Sequence, residues 1–234
     1  MNLYGNLVES VEFEYDKMQE LKKTEQKSLL KLRHKKSGTR YLFRQYQGSA
    51  EVYRKLLPVT CRHLPQIYEV AEQDGTVAVL EEFVQGDTLQ FLLEADVLSA
   101  KKVRDIAIQL CQALWVLHSM GIVHRDIKPE NVILRGDEVV LLDFDAARIY
   151  KREHSTDTVV LGTIGYAAPE QFGWTQSDER ADIYSMGILL NVMLTGKHPA
   201  KELAPGRWGH IVQHCPMMNP KKRYKNVKQL MEAL

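Results

Sequence analysis

The hydrophobic pattern changes period about ninety residues into this 234-residue chain, and no other feature constrains the fold as strongly. Before that point, short runs rich in β-branched, aromatic and other apolar residues are broken by turn residues. Residues 29–34 and 40–46 read as two strands joined by Lys35-Lys36-Ser37-Gly38-Thr39. Residues 66–71 and 77–83 read as a second pair around Asp74-Gly75. One short helix over 50–57 is stopped by Pro58. Beyond the change, the apolar spacing becomes three and four. Val103, Ile106, Ala107, Leu110, Leu114 and Leu117 lie on one stripe of a helix over 101–118. Residues 182–194 are apolar nearly all round, which predicts a buried helix, and 227–234 reads as a last amphipathic one. Strands first and helices afterwards predict an α+β architecture with segregated parts. The turn at Gln85-Gly86-Asp87 marks the boundary.

Composition removes several classes. Hydrophobic residues make up 44% and charged residues 26%, which suits a folded globule and not a disordered chain. Lys plus Arg number 31 against 30 Asp plus Glu, so the net charge is +1. Such a chain has no global field to gather nucleic acid, and no nucleic-acid partner is expected. Cys61, Cys111 and Cys215 cannot all pair and show no CxxC spacing. They predict reduced thiols in a cytoplasmic protein and exclude a disulfide scaffold. The acidic opening MNLYGNLVESVEFEYDK has no long apolar run, so no secretory signal is expected there. No apolar run approaches the ~18 residues of a membrane span.

The chemistry-bearing residues cluster in the second part. His124-Arg125-Asp126-Ile127-Lys128-Pro129-Glu130-Asn131 places an Asp five residues before an Asn, on a loop between a helix and a strand over 132–134. That pairing offers a proton acceptor and a metal ligand. A second strand over 139–142 delivers Asp143-Phe144-Asp145, and a carboxylate at a strand end is well placed to hold Mg²⁺. Gly162-Thr163-Ile164-Gly165-Tyr166-Ala167-Ala168-Pro169-Glu170 follows, then Asp182-Ile183-Tyr184-Ser185-Met186-Gly187.

These motifs, in this order, resemble those of eukaryotic-type protein kinases: the H-R-D loop with its Asn, then D-F-G, then A-P-E. The likeness runs from about Tyr15 to the C-terminus, and the segments GYAAPEQFG and DIYSMGILL resemble bacterial Ser/Thr kinases. It implies a bilobal fold, with residues 1–14 an N-terminal extension, 15–84 a small strand-rich lobe and 85–234 a helical lobe. It implies ATP and Mg²⁺ as cofactors and an unidentified protein as substrate. By resemblance, Asp126 orients the acceptor hydroxyl, Lys128 neutralises the transferring phosphoryl group, and Asn131 and Asp143 hold Mg²⁺. Lys128 matches the Ser/Thr-specific pattern. His124 and Asp182 resemble braces of the catalytic loop, Glu170 and Arg223 a buried ion pair, and Thr163 a contact of Asp126 and Lys128. The resemblance also implies that Glu82, Phe83 and Val84 are the hinge whose backbone binds adenine and that Val132 and Ile133 floor that pocket, two positions that ordinary core packing explains equally well.

The chain also departs from the pattern. The slot of the glycine-rich loop reads Leu21-Lys22-Lys23-Thr24-Glu25-Gln26-Lys27-Ser28-Leu29, with no glycine. Glycines let backbone amides approach phosphates closely, so a side-chain substitute from Lys22, Lys23 or Lys27 is the functional alternative. Arg44 stands at the lysine position of the third strand, with Glu51 as its expected helix partner. Asp145 replaces the last glycine of D-F-G, and Glu81 puts a carboxylate where the family places an apolar residue before the hinge. Ser155, Thr156 and Thr158 are candidate phosphorylation sites, with Arg125 as their expected charge partner. The sequence thus predicts an ATP- and Mg²⁺-dependent Ser/Thr protein kinase. The alternatives are a pseudokinase that binds partners or nucleotide, and a small-molecule phosphotransferase.

Overall fold

The computed structural model describes residues 3–150, 163–172 and 177–234. They fall into two compact units, one of residues 3–61 and 65–84, the other of residues 62–64 and the described residues from 85 onward.

The first unit opens with helix α1 (Leu3–Glu14), followed by strands β1 (Tyr15–Lys23), β2 (Lys27–His34) and β3 (Arg40–Gln47). Helix α2 (Glu51–Leu56) and strands β4 (Ile67–Gln73) and β5 (Thr76–Glu82) complete it. The strands form one antiparallel sheet in the order β1-β2-β3-β5-β4. Asp74 and Gly75 both take positive φ, 50° and 75°, as a two-residue hairpin turn between β4 and β5 requires. Residues 1–14, read from sequence as an extension, contain α1, and α1 is part of this unit's core. Its Leu7 and Val11, one turn apart, are buried with Leu32, Phe43, Ala71, Ala78 and Leu80. Period-2 alternation puts those strand residues on one sheet face. The other face carries Arg44 and Tyr46 of β3, which meet Tyr53 of α2: its ring lies 6.0 Å from that of Tyr46 and 5.5 Å from the Arg44 guanidinium.

The second unit is mainly helical. It runs β6 (Asp87–Thr88), α3 (Leu89–Ala95), α4 (Ala100–Ser119), β7 (Ile122–Val123), β8 (Val132–Arg135), β9 (Glu138–Leu141) and β10 (Arg148–Ile149). Helices α5 (Arg180–Thr195), α6 (Gly206–His214) and α7 (Val227–Ala233) follow. Ser99 caps α4 by accepting from the Lys102 amide, and Asn226 caps α7 through Gln229. Val103, Ile106, Ala107, Leu110, Leu114 and Leu117 are all buried, as their spacing predicts. Helix α5 is buried nearly all round for the same reason: its sequence offers water almost no polar face. Gly86 lets the chain pass against β8, because a Cβ there would lie 2.2 Å from the Leu134 carbonyl oxygen. The architecture is α+β, with the strand-rich part first and the helical part second.

Cys61, Cys111 and Cys215 are free thiols. Burial pushes the Cys111 thiol up to about 12, and the Cys215 thiol is raised by the same cause. Among the described residues, no helix is long and apolar enough to cross a membrane.

Candidate functional site

Asp126, Lys128 and Asn131 lie in the loop between β7 and β8, and Thr163 from beyond β10 joins them. The Asp126 carboxylate accepts on both oxygens. Thr163 Oγ1 donates to its Oδ1 at 2.6 Å, and Asn131 Nδ2 donates to its Oδ2 at 2.8 Å. Lys128 Nζ lies 2.8 Å from the same Oδ2 and donates to Thr163 Oγ1 at 2.8 Å. Asn131 Nδ2 also donates to the Asp126 carbonyl at 2.8 Å. Both amide hydrogens of Asn131 are therefore assigned, and its Oδ1 is the atom left to bind a cation. A single turn of 3-10 helix at Pro129–Asn131, with Pro129 at its first position, sets that orientation.

The loop is held from beneath. Asp182, the third residue of α5, is fully buried and accepts from the backbone amides of His124 (2.9 Å) and Arg125 (2.7 Å). His118 Nε2, from the end of α4, lies 2.7 Å from the same carboxylate. Burial opposes the Asp182 charge, but the hydrogen bonds and nearby histidines prevail and hold its pKa below the carboxylate range. Arg125 takes φ 68° and Asp143 φ 65°, a left-handed conformation that costs a non-glycine residue about 1–3 kcal/mol. The three bonds to Asp182 oppose that strain at Arg125. Sequence reasoning took His118 only as a helix end, because nothing in a linear spacing links it to a residue 64 positions on.

His124 joins the two acidic segments. Its Nε2 reaches the Leu142 carbonyl at 3.1 Å, the Asp126 amide donates to its Nδ1 at 3.3 Å, and its ring packs edge-on to Phe144 at 5.7 Å. That pattern suits a neutral ring with hydrogen on Nε2. Burial lowers its pKa, although Asp182, Asp126 and Asp143 pull the other way. The unfolded chain takes up this proton near pH 6.5, whereas the folded chain resists until a lower pH. In that window the unfolded state holds more protons, so stability is complete above it and falls as pH drops. Chemical denaturation at pH 7, 6 and 5 should show this, with a slope of at most about 1.4 kcal/mol per pH unit. His124→Asn should flatten it; an unchanged slope refutes the assignment.

Asp143 follows β9, two residues beyond its end, and is partly exposed. Asn131 Oδ1 and the Asp143 carboxylate are hard oxygen donors of the kind Mg²⁺ takes. No cluster of three His, Cys, Asp or Glu exists among the described residues. Asp145 is exposed. Glu170 and Arg223 form the predicted ion pair, Nη1–Oε1 2.5 Å and Nη2–Oε2 2.9 Å. Ile133 is buried in β8. Ser155, Thr156 and Thr158 lie outside the described residues.

In the first unit the departures have a geometry. β1 and β2 close through Thr24, Glu25 and Gln26. The Thr24 amide donates to the Lys27 carbonyl at 2.8 Å, and the Lys27 amide to Thr24 Oγ1 at 3.0 Å. Those two amides are used inside the hairpin and not turned outward as a cradle. Lys22 and Lys23 are exposed, and Lys23 lies 3.4 Å from Glu20. The Glu82 amide donates to the Gln66 carbonyl, and Val84 is buried. Glu51, the expected partner of Arg44, opens α2 and is exposed. Glu81 lies against the guanidinium: Arg44 Nη2 and Nε donate to its Oε1 at 2.7 and 2.9 Å. Pairing of β3 with β5 brings these two residues together on one face, a contact that the sequence reading did not foresee.

Known proteins carry the same pattern. A model described as the protein kinase domain matches residues 14–233. The serine/threonine-protein kinase PknA of Nostoc sp. is 34% identical over 196 residues, 73% of this chain and 35% of that protein. A probable serine/threonine-protein kinase of Clostridium acetobutylicum is 31% identical over 74% of this chain and 30% of its own length. Serine/threonine-protein kinase D of Synechocystis sp. is 30% identical over 73% of this chain and 38% of its own. The matches thus span between 30% and 38% of these relatives' length.

Proposed function

Since the chain belongs to the protein kinase domain family, we propose that it is a Ser/Thr protein kinase, transferring the γ-phosphoryl group of ATP to a protein hydroxyl with Mg²⁺. The observation that carries this reading is the closed set Asp126, Lys128, Asn131 and Thr163. Lys128 bonded to Thr163 is the arrangement that the Ser/Thr resemblance implies.

In this reading Asp126 accepts the hydrogen bond of the acceptor hydroxyl and aims its oxygen at the γ-phosphorus. The new O–P bond forms as the bond to the bridging oxygen of ATP breaks, and the hydroxyl proton passes to Asp126. A carboxylate is a weak base for an alcohol, so its main contribution is orientation. Lys128 offsets the charge on the transferring group. Asn131 and Asp143 would hold Mg²⁺, which when bound shields the phosphate charge. Arg44 supplies positive charge toward the phosphates; Glu82 and Val84 offer backbone, and Ile133 an apolar surface, to adenine. The three free thiols suit a cytoplasmic setting.

The pseudokinase reading rests on a separate observation, the two hairpin amides of Thr24 and Lys27 that bond within the chain. One experiment divides the readings. Mg²⁺-dependent ADP release from ATP is measured for the wild type and for Asp143→Asn. Turnover lost in the variant supports the kinase. Absence of turnover in both, with Mg²⁺ or Mn²⁺, supports the pseudokinase.

A further inference from the structure

Two charged side chains are buried within the sheet of the first unit. On β5, Val77, Ala78, Val79 and Leu80 are all buried, and Glu81 continues the run at 2% exposure. On β3, Arg44 is 3% exposed. A carboxylate in such a place is tolerated only with a charge partner and hydrogen bonds. Backbone pairing supplies the partner. Arg44 lies opposite Val79, and Glu81 lies opposite Leu42, so Arg44 and Glu81 are diagonal neighbours on one sheet face. Two guanidinium nitrogens donate to a single carboxylate oxygen, and the side chains are 4% and 3% exposed. The Tyr53 ring, 5.5 Å from the guanidinium carbon, closes one side.

We propose that Glu81 is a positioning residue for nucleotide binding, acting through Arg44. The cation offered to the ATP phosphates is then aimed by a carboxylate on the neighbouring strand, and its direction is set by the β3–β5 register. The proposal rests on the kinase reading of Arg44. It also explains why two departures from the family pattern occur together. Either charge without the other would lose the 2.7 and 2.9 Å bonds between them. Arginine suits the pair because its planar fork presents Nε and Nη2 side by side, which a lysine ammonium cannot do.

The test is a cycle of variants read by the KM and kcat for ATP and by the Kd of ATP without turnover. A cation that binds substrate and transition state alike changes KM and leaves kcat in place. Glu81→Gln should therefore raise the ATP KM about tenfold with kcat changed less than threefold. The pairs R44M/E81Q and R44M/E81M contain neither charge and keep the test open where the single variant does not fold. If Glu81 acts only through Arg44, both pairs share one ATP Kd, about tenfold weaker than wild type. A fivefold or greater difference in ATP Kd between R44M and R44M/E81Q overturns the proposal, because Glu81 would then act on the nucleotide without Arg44. A large KM rise in Glu51→Gln with less than twofold in Glu81→Gln overturns it as well, in favour of the helix acid. Loss of Mg²⁺-dependent turnover in the wild type would sink the kinase reading alone, since the ATP Kd comparison still decides the role of Glu81.

Discussion

Replacing Asp126 by Asn should lower phosphoryl transfer about a thousandfold while leaving the fold nearly as stable as before. The two effects separate because of the hydrogen bonds at this carboxylate. Its Oδ2 receives Asn131 Nδ2 and faces Lys128 Nζ, whereas its Oδ1 receives one hydroxyl hydrogen from Thr163. An Asn can turn its oxygen toward the two nitrogen donors and its NH₂ toward Thr163. The Thr163 hydroxyl, which both donates and accepts, can then reverse its role. Packing is kept, and the lost elements are the negative charge and the affinity for the acceptor's proton. A thousandfold loss corresponds to about 4 kcal/mol of transition-state stabilisation. Single-turnover transfer gives the rate, and thermal unfolding gives the stability. A rate within tenfold of wild type would remove Asp126 from the reaction. A collapse of Tm together with the rate would make it a structural residue.

The second large effect is on stability. Glu170→Gln should cost about 3–5 kcal/mol. The Arg223 side chain is fully buried and that of Glu170 is 10% exposed. Both guanidinium Nη atoms end on the carboxylate, Nη1 also donates to the Arg180 carbonyl, and Nε donates to the Met217 carbonyl. Gln keeps the shape but leaves a buried cation without its counter-charge. A domain is stable by only about 5–15 kcal/mol, so the loss is a large share of the total. In a chain of this size it should lower Tm by roughly 10 °C. Removing both charges in E170M/R223M should restore most of the stability, because the penalty lies in the orphaned charge more than in the lost attraction. Denaturant titration of the three proteins checks this; a cost below 1 kcal/mol for Glu170→Gln would contradict it.

Much of this was legible in the linear sequence. The change from strand-like runs to a period of three to four determined the order of strands and helices, because side-chain direction follows the backbone period. The stripe from Val103 to Leu117 is buried as its spacing requires. The motif from His124 to Asn131 places Asp126, Lys128 and Asn131 within six residues, so one loop brings them together wherever the rest of the chain goes. Helix α1 was legible in principle, since Tyr4, Leu7, Val8 and Val11 share a helical face, yet its acidic sequence read as an extension. Only the tertiary structure decided the rest. Thr163 reaches Asp126 across 37 residues, and Asp182 reaches the His124 amide across 58. No local period encodes such distances. The contact between Arg44 and Glu81 is the clearest case. Sequence pattern pointed to a helix acid at Glu51, while strand register placed the Glu81 carboxylate on the guanidinium. Register is a property of two paired strands and not of either one alone, and a shift of one residue would turn Glu81 to the opposite sheet face.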